Sequence, residues 1–243
     1  MDKQKQIIEM FNQIAPTYDS ANRILSLGID IKWRKQACKK AFEYIEDLKI
    51  QTILDVACGT GDMILHWQKN AHKFGKSLGK IIGIDPSGGM LQIAQEKLKD
   101  QIQSHEIELF LGEAKNLDPI PSESIDILSI AYGLRNVVDI QAALREFQRV
   151  LKKGGVLVIL EFTKKNKENF LDKITGFYTK KILPFVGGLV SHNYKAYRYL
   201  PNSIESFLSV EMLQEELNKI GVDTKFIKGY SANISTLLIG VKQ

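Results

Sequence analysis

Residues 53–63 read ILDVACGTGDM. The apolar run Ile53–Val56 ends in small residues, Ala57-Cys58-Gly59-Thr60-Gly61, and an amphipathic segment starts at Asp62. A buried strand, a tight glycine-rich turn and a helix start follow one another, the order in which an open α/β sheet builds a nucleotide site. Glycine suits such a turn because the backbone folds sharply and a ligand must approach without meeting a Cβ. A second apolar run, Ile81-Ile82-Gly83-Ile84, ends in Asp85, an acid positioned to accept hydrogen bonds from ribose hydroxyls. Ile64 stands where a dinucleotide fingerprint has its third glycine, and no phosphate-binding lysine follows the loop.

The rest of the chain extends this rhythm. Residues 2–14 place Ile7, Ile8, Phe11 and Ile14 at helical spacing, and this helix is expected to stop before Pro16. A break over 15–19 is expected next, then a short helix capped by Asn22 and ended by Gly28. A longer helix capped by Asp30 follows, carrying Trp33, Ala37, Ala41 and Ile45. Together they form a lid over the open end of the sheet, with Tyr18 and Asp19 projecting toward a substrate cavity. Strands are predicted at 80–85, 107–111, 125–130 and 156–160, and an antiparallel edge hairpin at 224–228 and 235–241. Residues 71–80, AHKFGKSLGK, read as a surface loop, and helices are predicted at 138–151 and 210–220. One domain over 1–243 is expected: a lid (1–48), a cofactor core (51–162), a helical substrate-side insertion (164–208) and a closing helix with edge strands (209–243).

A chain of 243 residues is long enough for one such domain with a buried core. The net charge of +5 is spread along the chain, which argues against a nucleic-acid clamp and for mild attraction to anionic surfaces. The two cysteines, Cys38 and Cys58, lie in separate elements, and the four histidines lack ligand spacing, so neither a disulfide framework nor a metal site is expected. The polar start MDKQKQIIEMF and the lack of a long apolar run point to a cytoplasmic protein. Residues 164–200 break the rhythm, combining Phe170, Phe177, Tyr178, Ile182, Leu183, Phe185 and Leu189 with lysines. Two readings of 168–192 stay open: a helical cover over the site, or a surface resting peripherally on the inner face of an anionic membrane.

The pattern D-x-x-x-G-x-G with a distant acid resembles the S-adenosylmethionine site of Rossmann-like methyltransferases. The resemblance implies an α/β fold: a seven-stranded sheet with helices on both faces and a helical lid. It implies that Asp55, Gly59, Thr60, Gly61 and Asp85 serve S-adenosylmethionine. Glu113 and Ala114, after strand 107–111, fall where such proteins recognise adenine, and Ala131 falls beside the cofactor.

Four further stretches narrow the resemblance. They are Tyr18-Asp19-x-x-Asn22-x-x-Leu25-Ser26-x-Gly28-x-x-x-x-Trp33; 131–137, AYGLRNV; 149–163, RVLKKGGVLVILEFT; and Tyr197-Arg198-Tyr199-Leu200-x-x-Ser203-Ile204. In this order they resemble the ubiquinone/menaquinone biosynthesis C-methyltransferases, which methylate a ring carbon of polyprenyl quinols. The chain departs at Ala21 (usually Met), Asp30 (His), Glu113 (Asp or Asn), Ala131 (Ser), Tyr132 (Phe), Lys153 (Pro), Thr163 (Ser) and Leu208 (Pro). A histidine at position 30 is therefore not essential to the implied reaction.

By this resemblance Arg135 and Asn136 together hold the quinol oxygen or a water and stabilise a developing phenolate, while Tyr18 orients the ring. Arginine is too basic to act as the proton acceptor itself. Glu161 either faces the cavity or bonds the lid. The departures at 21, 30 and 153 favour demethylmenaquinol as acceptor over the methoxy-benzoquinol of ubiquinone synthesis. A family-level homodimer, another lipid or phenol acceptor, and a cofactor-binding module without catalysis complete the readings kept open.

Overall fold

The computed structural model describes residues 2–47, 49–164, 194–231 and 233–243. Seven strands form one sheet: β1 (Lys49–Val56), β2 (Ser77–Asp85), β3 (Ile107–Leu111), β4 (Ile125–Ala131), β5 (Leu151–Glu161), β6 (Val222–Tyr230) and β7 (Ser235–Lys242). Their spatial order is β3-β2-β1-β4-β5-β7-β6. The first five run parallel, and β7 enters antiparallel between β5 and β6. The chain steps outward from β1 to β3 and then returns to place β4 beside β1. That reversal opens a crevice above the carboxyl ends of β1 and β4, where Val56 is level with Ile130 and Ile84.

Both sheet faces are covered, so the parallel strands read as continuous apolar runs instead of alternating ones. On one face Trp33, Phe42 and Trp67 pack over Ile53, Ile127 and Val158. The packing elements there are α3 (Ile29–Phe42) and α4 (Asp62–Ala71). On the other face Leu144 and Phe147 of α7 (Ile140–Val150) and Leu213 and Leu217 cover Leu54, Leu128 and Leu157. A smaller cluster of Ile14, Ala21, Leu25 and Met90 seats the lid on the sheet domain.

The lid is more continuous than the sequence suggests. α1 (Lys3–Ile14) runs into a 3₁₀ turn at Ala15–Thr17, and α2 (Tyr18–Ser26) begins directly at Tyr18. The expected break at 15–19 is absent because Pro16 sits in the first turn of the 3₁₀ segment, where it has no helical N–H to supply. Asn22 lies inside α2 and does not cap it. Gly28, in left-handed backbone at φ 72°, precedes α3, so Asp30 is not a cap; it is buried and accepts a hydrogen bond from Ser26 Oγ at 2.7 Å. α3 ends before Ile45, and β2 begins at Ser77, taking up part of the predicted surface loop.

α5 (Gly88–Lys97) and α6 (Lys99–Gln103) link β2 to β3. β5 also starts earlier than expected, pairing Leu151 with Ile125 across an irregularity in the β4 register. α8 (Tyr194–Glu205) and α9 (Val210–Lys219) precede the final hairpin. The apolar, basic stretch 168–192 and His192 lie outside the described residues. No helix among the described residues is long and apolar enough to cross a membrane.

Candidate active site

Two cavities adjoin at the carboxyl end of the sheet. The first, about 690 Å³, lies over the ends of β1, β2 and β4, with Gly59, Asp85, Ala131 and Asn136 in its wall. The second, about 1340 Å³, lies between the lid and β4–β5, with Leu25, Trp33, Arg34, Arg135 and Phe162 among its lining. Phe11, Tyr18 and Tyr132 line both and form the wall between them.

The first cavity rests on the glycine loop. Gly61 has φ 83°, and a Cβ there would lie 2.7 Å from Leu98 Cδ1, so only glycine fits without a shift. Gly133 passes so close to the loop that its Cβ would meet that of Ala57 at 2.5 Å. Asp85 carries the loop electrostatically: Oδ2 accepts from Gly59 N–H and Oδ1 from Ser87 N–H, each at 2.8 Å. Burial pushes its carboxyl up to about 6 despite these two bonds.

Glu113 and Ala114 also line this cavity, with Lys115 paired to Glu113 at 3.2 Å. Asn136 donates through Nδ2 to Tyr132 O at 3.3 Å, leaving its buried Oδ1 without a partner. Asp85, Glu113 and Asn136 Oδ1 together make the wall rich in acceptors. S-adenosylmethionine offers an ammonium, ribose hydroxyls and an adenine amine, so the residues present fit this cofactor.

Asp55, Thr60 and Gly61 do not line the cavity; they support it from below. Asp55 accepts from Ser129 Oγ at 2.6 Å, and Ser129 Oγ accepts from Trp67 Nε1 at 3.0 Å. Burial raises the Asp55 carboxyl to about 7, and its Oδ2 has no partner. Thr60 donates to Asp19 Oδ1 at 2.6 Å, and Lys97 reaches Asp19 at 2.5 Å and Asp62 at 3.0 Å. Asp19 therefore ties the lid to the cofactor loop, where it was expected to project into the substrate cavity.

The sequence reading did not single out the latches of α1. Gln4 donates to Asn136 O at 3.4 Å and accepts from Val138 N–H at 3.0 Å. Asn12 Oδ1 accepts from Ser87 Oγ at 2.7 Å and Gly89 N–H at 3.0 Å. A run of apolar spacing marked the helix, but nothing local to positions 4 and 12 marks a long-range acceptor.

Arg135 and Asn136, adjacent in sequence, face different cavities: Arg135 the second, Asn136 the first. The 3₁₀ turn Leu134–Asn136 rotates successive side chains apart, so the two do not converge on one oxygen. Arg135 Nη1 donates to Glu161 Oε1 and to Tyr132 O, each at 2.6 Å. Glu161 is fully buried and also accepts from the backbone N–H groups of Arg135 and Phe162, so it holds the arginine and not the lid. Tyr132 takes φ 63°, a costly conformation for a large residue, fixed by its N–H bond to Leu160 O at 2.7 Å and its hydroxyl's contact with Ser235 Oγ at 3.0 Å. Tyr18 opens α2 at the wall between the cavities, its ring edge-on to Phe11 at 6.2 Å and its hydroxyl raised by burial.

A sequence model of the ubiE/COQ5 methyltransferase family matches residues 1–242. A relative from Campylobacter jejuni subsp. jejuni serotype O:6, named ubiquinone/menaquinone biosynthesis C-methyltransferase UbiE, is 53% identical over 244 residues, covering 100% of both chains. A Thermotoga maritima relative named demethylmenaquinone methyltransferase is 40% identical over 222 residues, 91% of this chain and 90% of its own. Among solved structures, a Thermotoga maritima protein described as a SAM-dependent methyltransferase, possible histamine N-methyltransferase, aligns with a TM-score of 0.62 at 21% identity. That alignment covers 98% of this chain and 100% of the other. An Aquifex aeolicus SAM-dependent methyltransferase aligns with a TM-score of 0.57 at 18% identity, covering 85% and 89%. At these identities the structural likeness speaks to the fold alone.

Proposed function

The chain belongs to the ubiE/COQ5 methyltransferase family, and from that premise we propose that it C-methylates a polyprenyl quinol, with demethylmenaquinol as the acceptor. The observation that carries this reading is the pair of adjoining cavities. One is shaped by the glycine loop and carries Asp85, Glu113 and Asn136 in its wall; the other is about twice as roomy and carries Arg34 and Arg135 among apolar and aromatic side chains; Phe11, Tyr18 and Tyr132 line both. A donor of methyl groups and a lipid ring can thus meet across Tyr18 and Tyr132.

When bound in the first cavity, S-adenosylmethionine supplies an electrophilic sulfonium methyl group. Asp85, Glu113 and Asn136 would hold it, and the loop from Ala57 to Gly61 would support it. The chain's own task is to make a ring carbon nucleophilic. A quinol hydroxyl that loses its proton pushes electron density onto the ortho carbon, and after methylation that carbon sheds its own proton to restore the aromatic ring. Arg135, oriented by Glu161 and Tyr132 O, would steady the oxygen or a water that takes the hydroxyl proton. Tyr18 and Tyr132 would clamp the ring and, with Phe162 and Trp33, keep water from the methyl group.

The name of the Thermotoga relative specifies demethylmenaquinone, while that of the Campylobacter relatives covers both quinone pathways. The departures at Ala21, Asp30 and Lys153 add weight to the naphthoquinol. Labelled S-adenosylmethionine, incubated with reduced short-chain demethylmenaquinol and with the matching methoxy-benzoquinol, tests the choice. Label in the naphthoquinol alone supports the proposal, label in both makes the enzyme dual, and label in neither refutes a quinol acceptor. Arg135→Ala that kept near-normal turnover and cofactor affinity would remove Arg135 from the mechanism.

A lipid acceptor also suits the exposed apolar rim at the α2–α3 turn. Leu27 is 82% exposed, and Ile24, Ile29 and Ile31 are exposed beside it, while Leu27 and Ile29 also line the second cavity. Such a rim at a cavity mouth fits peripheral contact with a bilayer. Flotation with anionic vesicles checks it: wild type should float, and Leu27→Asp should float much less.

A further inference from the structure

Arg34 is a charged side chain of the second cavity that the chemistry so far leaves unused. It sits in α3, 7% exposed, and among the described residues its guanidinium makes no hydrogen bond; its Nε is enclosed without any partner. The nearest carboxylate, Asp30, is 3.7 Å from Nε, beyond hydrogen-bond range. Asp30 is already engaged by Arg23 and by Ser26 Oγ. Asp62, the next carboxylate of the cluster, is taken by Arg23 and Lys97. An enclosed guanidinium N–H without a partner is costly, and the rest of the group, open to the cavity, has donors to offer a ligand.

What surrounds Arg34 says what that something is. The guanidinium lies 5.2 Å from the centre of the Tyr132 ring, on the wall that the two cavities share. Arg135 faces the same cavity, but Glu161 neutralises it at 2.6 Å. Among the described residues the cations lining this cavity are Arg34 and Arg135; Asp30, in the same wall, stands 3.7 Å from Arg34 and Asp55 acts on it without a hydrogen bond, so Arg34, unlike Arg135, keeps its donors free for a bound oxyanion.

We propose that Arg34 binds a ring oxygen of the acceptor and stabilises it as the oxyanion from which methylation proceeds. The proposal rests on the quinol reading and deepens it: Arg135 positions one oxygen or its water, and Arg34 carries the charge of the ionised one. The hydroxyl proton passes to water, and no residue need become a strong base.

The test uses the full chain saturated with S-adenosylhomocysteine and 1-naphthol as an acceptor mimic whose absorption reports its ionisation. Wild type should ionise bound 1-naphthol at least about one pH unit below the free phenol, a tenfold shift. Arg34→Gln should return it to the free value, lower kcat with the reduced naphthoquinol by on the order of 100-fold, and leave cofactor affinity within about twofold. Arg34→Lys, which keeps the charge without the fork, should retain most of the naphthol shift. Wild type that does not lower the naphthol ionisation overturns the proposal without any variant, and so does Arg34→Gln that keeps both the shift and kcat. Should Arg34→Gln not fold, Arg34→Met is read by the same criteria beside the wild-type titration. An Arg34-dependent shift in an enzyme that methylates no quinol would sink the quinol reading and spare the oxyanion site. Methylation indifferent to Arg34 would do the reverse.

Discussion

Asp85 sets the pH response of the cofactor cavity. Its carboxyl is raised from 3.8 to about 6 by burial, so the ionised form, which in the proposed reading accepts ribose hydroxyls, is depleted as pH falls through about 6. Cofactor affinity should therefore weaken about tenfold between pH 7 and pH 5, and Asp85→Asn should bind more weakly with a flat pH profile. Calorimetric titration across that range checks both. Arg135 and Glu161 behave as a unit, with the carboxylate fully buried. Arg135→Gln strands that charge and should cost about 3–5 kcal/mol of stability. The double variant with Glu161→Gln should recover most of that in denaturant unfolding while remaining deficient in turnover, which separates the structural task of the pair from its chemical one.

At the scale of elements, α1 is a lid latched at two points. Gln4 fastens one end to the Asn136–Val138 turn, and Asn12 fastens the other to the start of α5. Each latch contributes about 1 kcal/mol, too little to hold the fold but enough to govern opening. Gln4→Ala with Asn12→Ala should speed cofactor release about tenfold with a small loss of global stability, read by stopped-flow displacement. Asp139 offers the contrast: it caps α7 by accepting from Ala142 N–H at 2.9 Å and lines neither cavity. Asp139→Ala should lower stability by about 1 kcal/mol and leave release unchanged.

Across the whole molecule, buried charge sets how stability responds to pH. Asp55 and Asp85 hold protons in the folded state up to about 7 and about 6, whereas the unfolded chain releases them near 3.8. Between those values the folded state binds more protons, so these groups make stability fall as pH rises. His66 works oppositely: lowered to about 4 from 6.5, chiefly by burial, it costs stability as pH falls below 6.5. Comparing Asp55→Asn with wild type isolates one term. The variant's stability relative to wild type should increase as pH rises toward about 7 and then level off, as urea unfolding without cofactor would report.

What the amino-acid sequence determined by itself is the cofactor half of the molecule. Ile53–Val56, Ile81–Ile84, Ile107–Leu111 and Ile125–Ile130 are apolar runs that only a sheet covered on both faces can bury, and the turns after them supply the sheet-side wall of the first cavity, which the lid residues Gln4, Phe11 and Tyr18 complete. These signals are local, carried by periodicity and by glycine's freedom at the turn. The tertiary structure alone decided the second cavity, the acceptor site of the proposed reading. It made Asp30 an ion-pair partner where a helix cap was expected, turned Asp19 onto Thr60 and Lys97, sent Arg135 and Asn136 into different cavities, and left Arg34 unsatisfied. Each depends on a partner distant along the chain or on the rotation of a single short turn. Hydrophobic period says which face of an element is buried, but which charge meets which is settled only when the elements have docked.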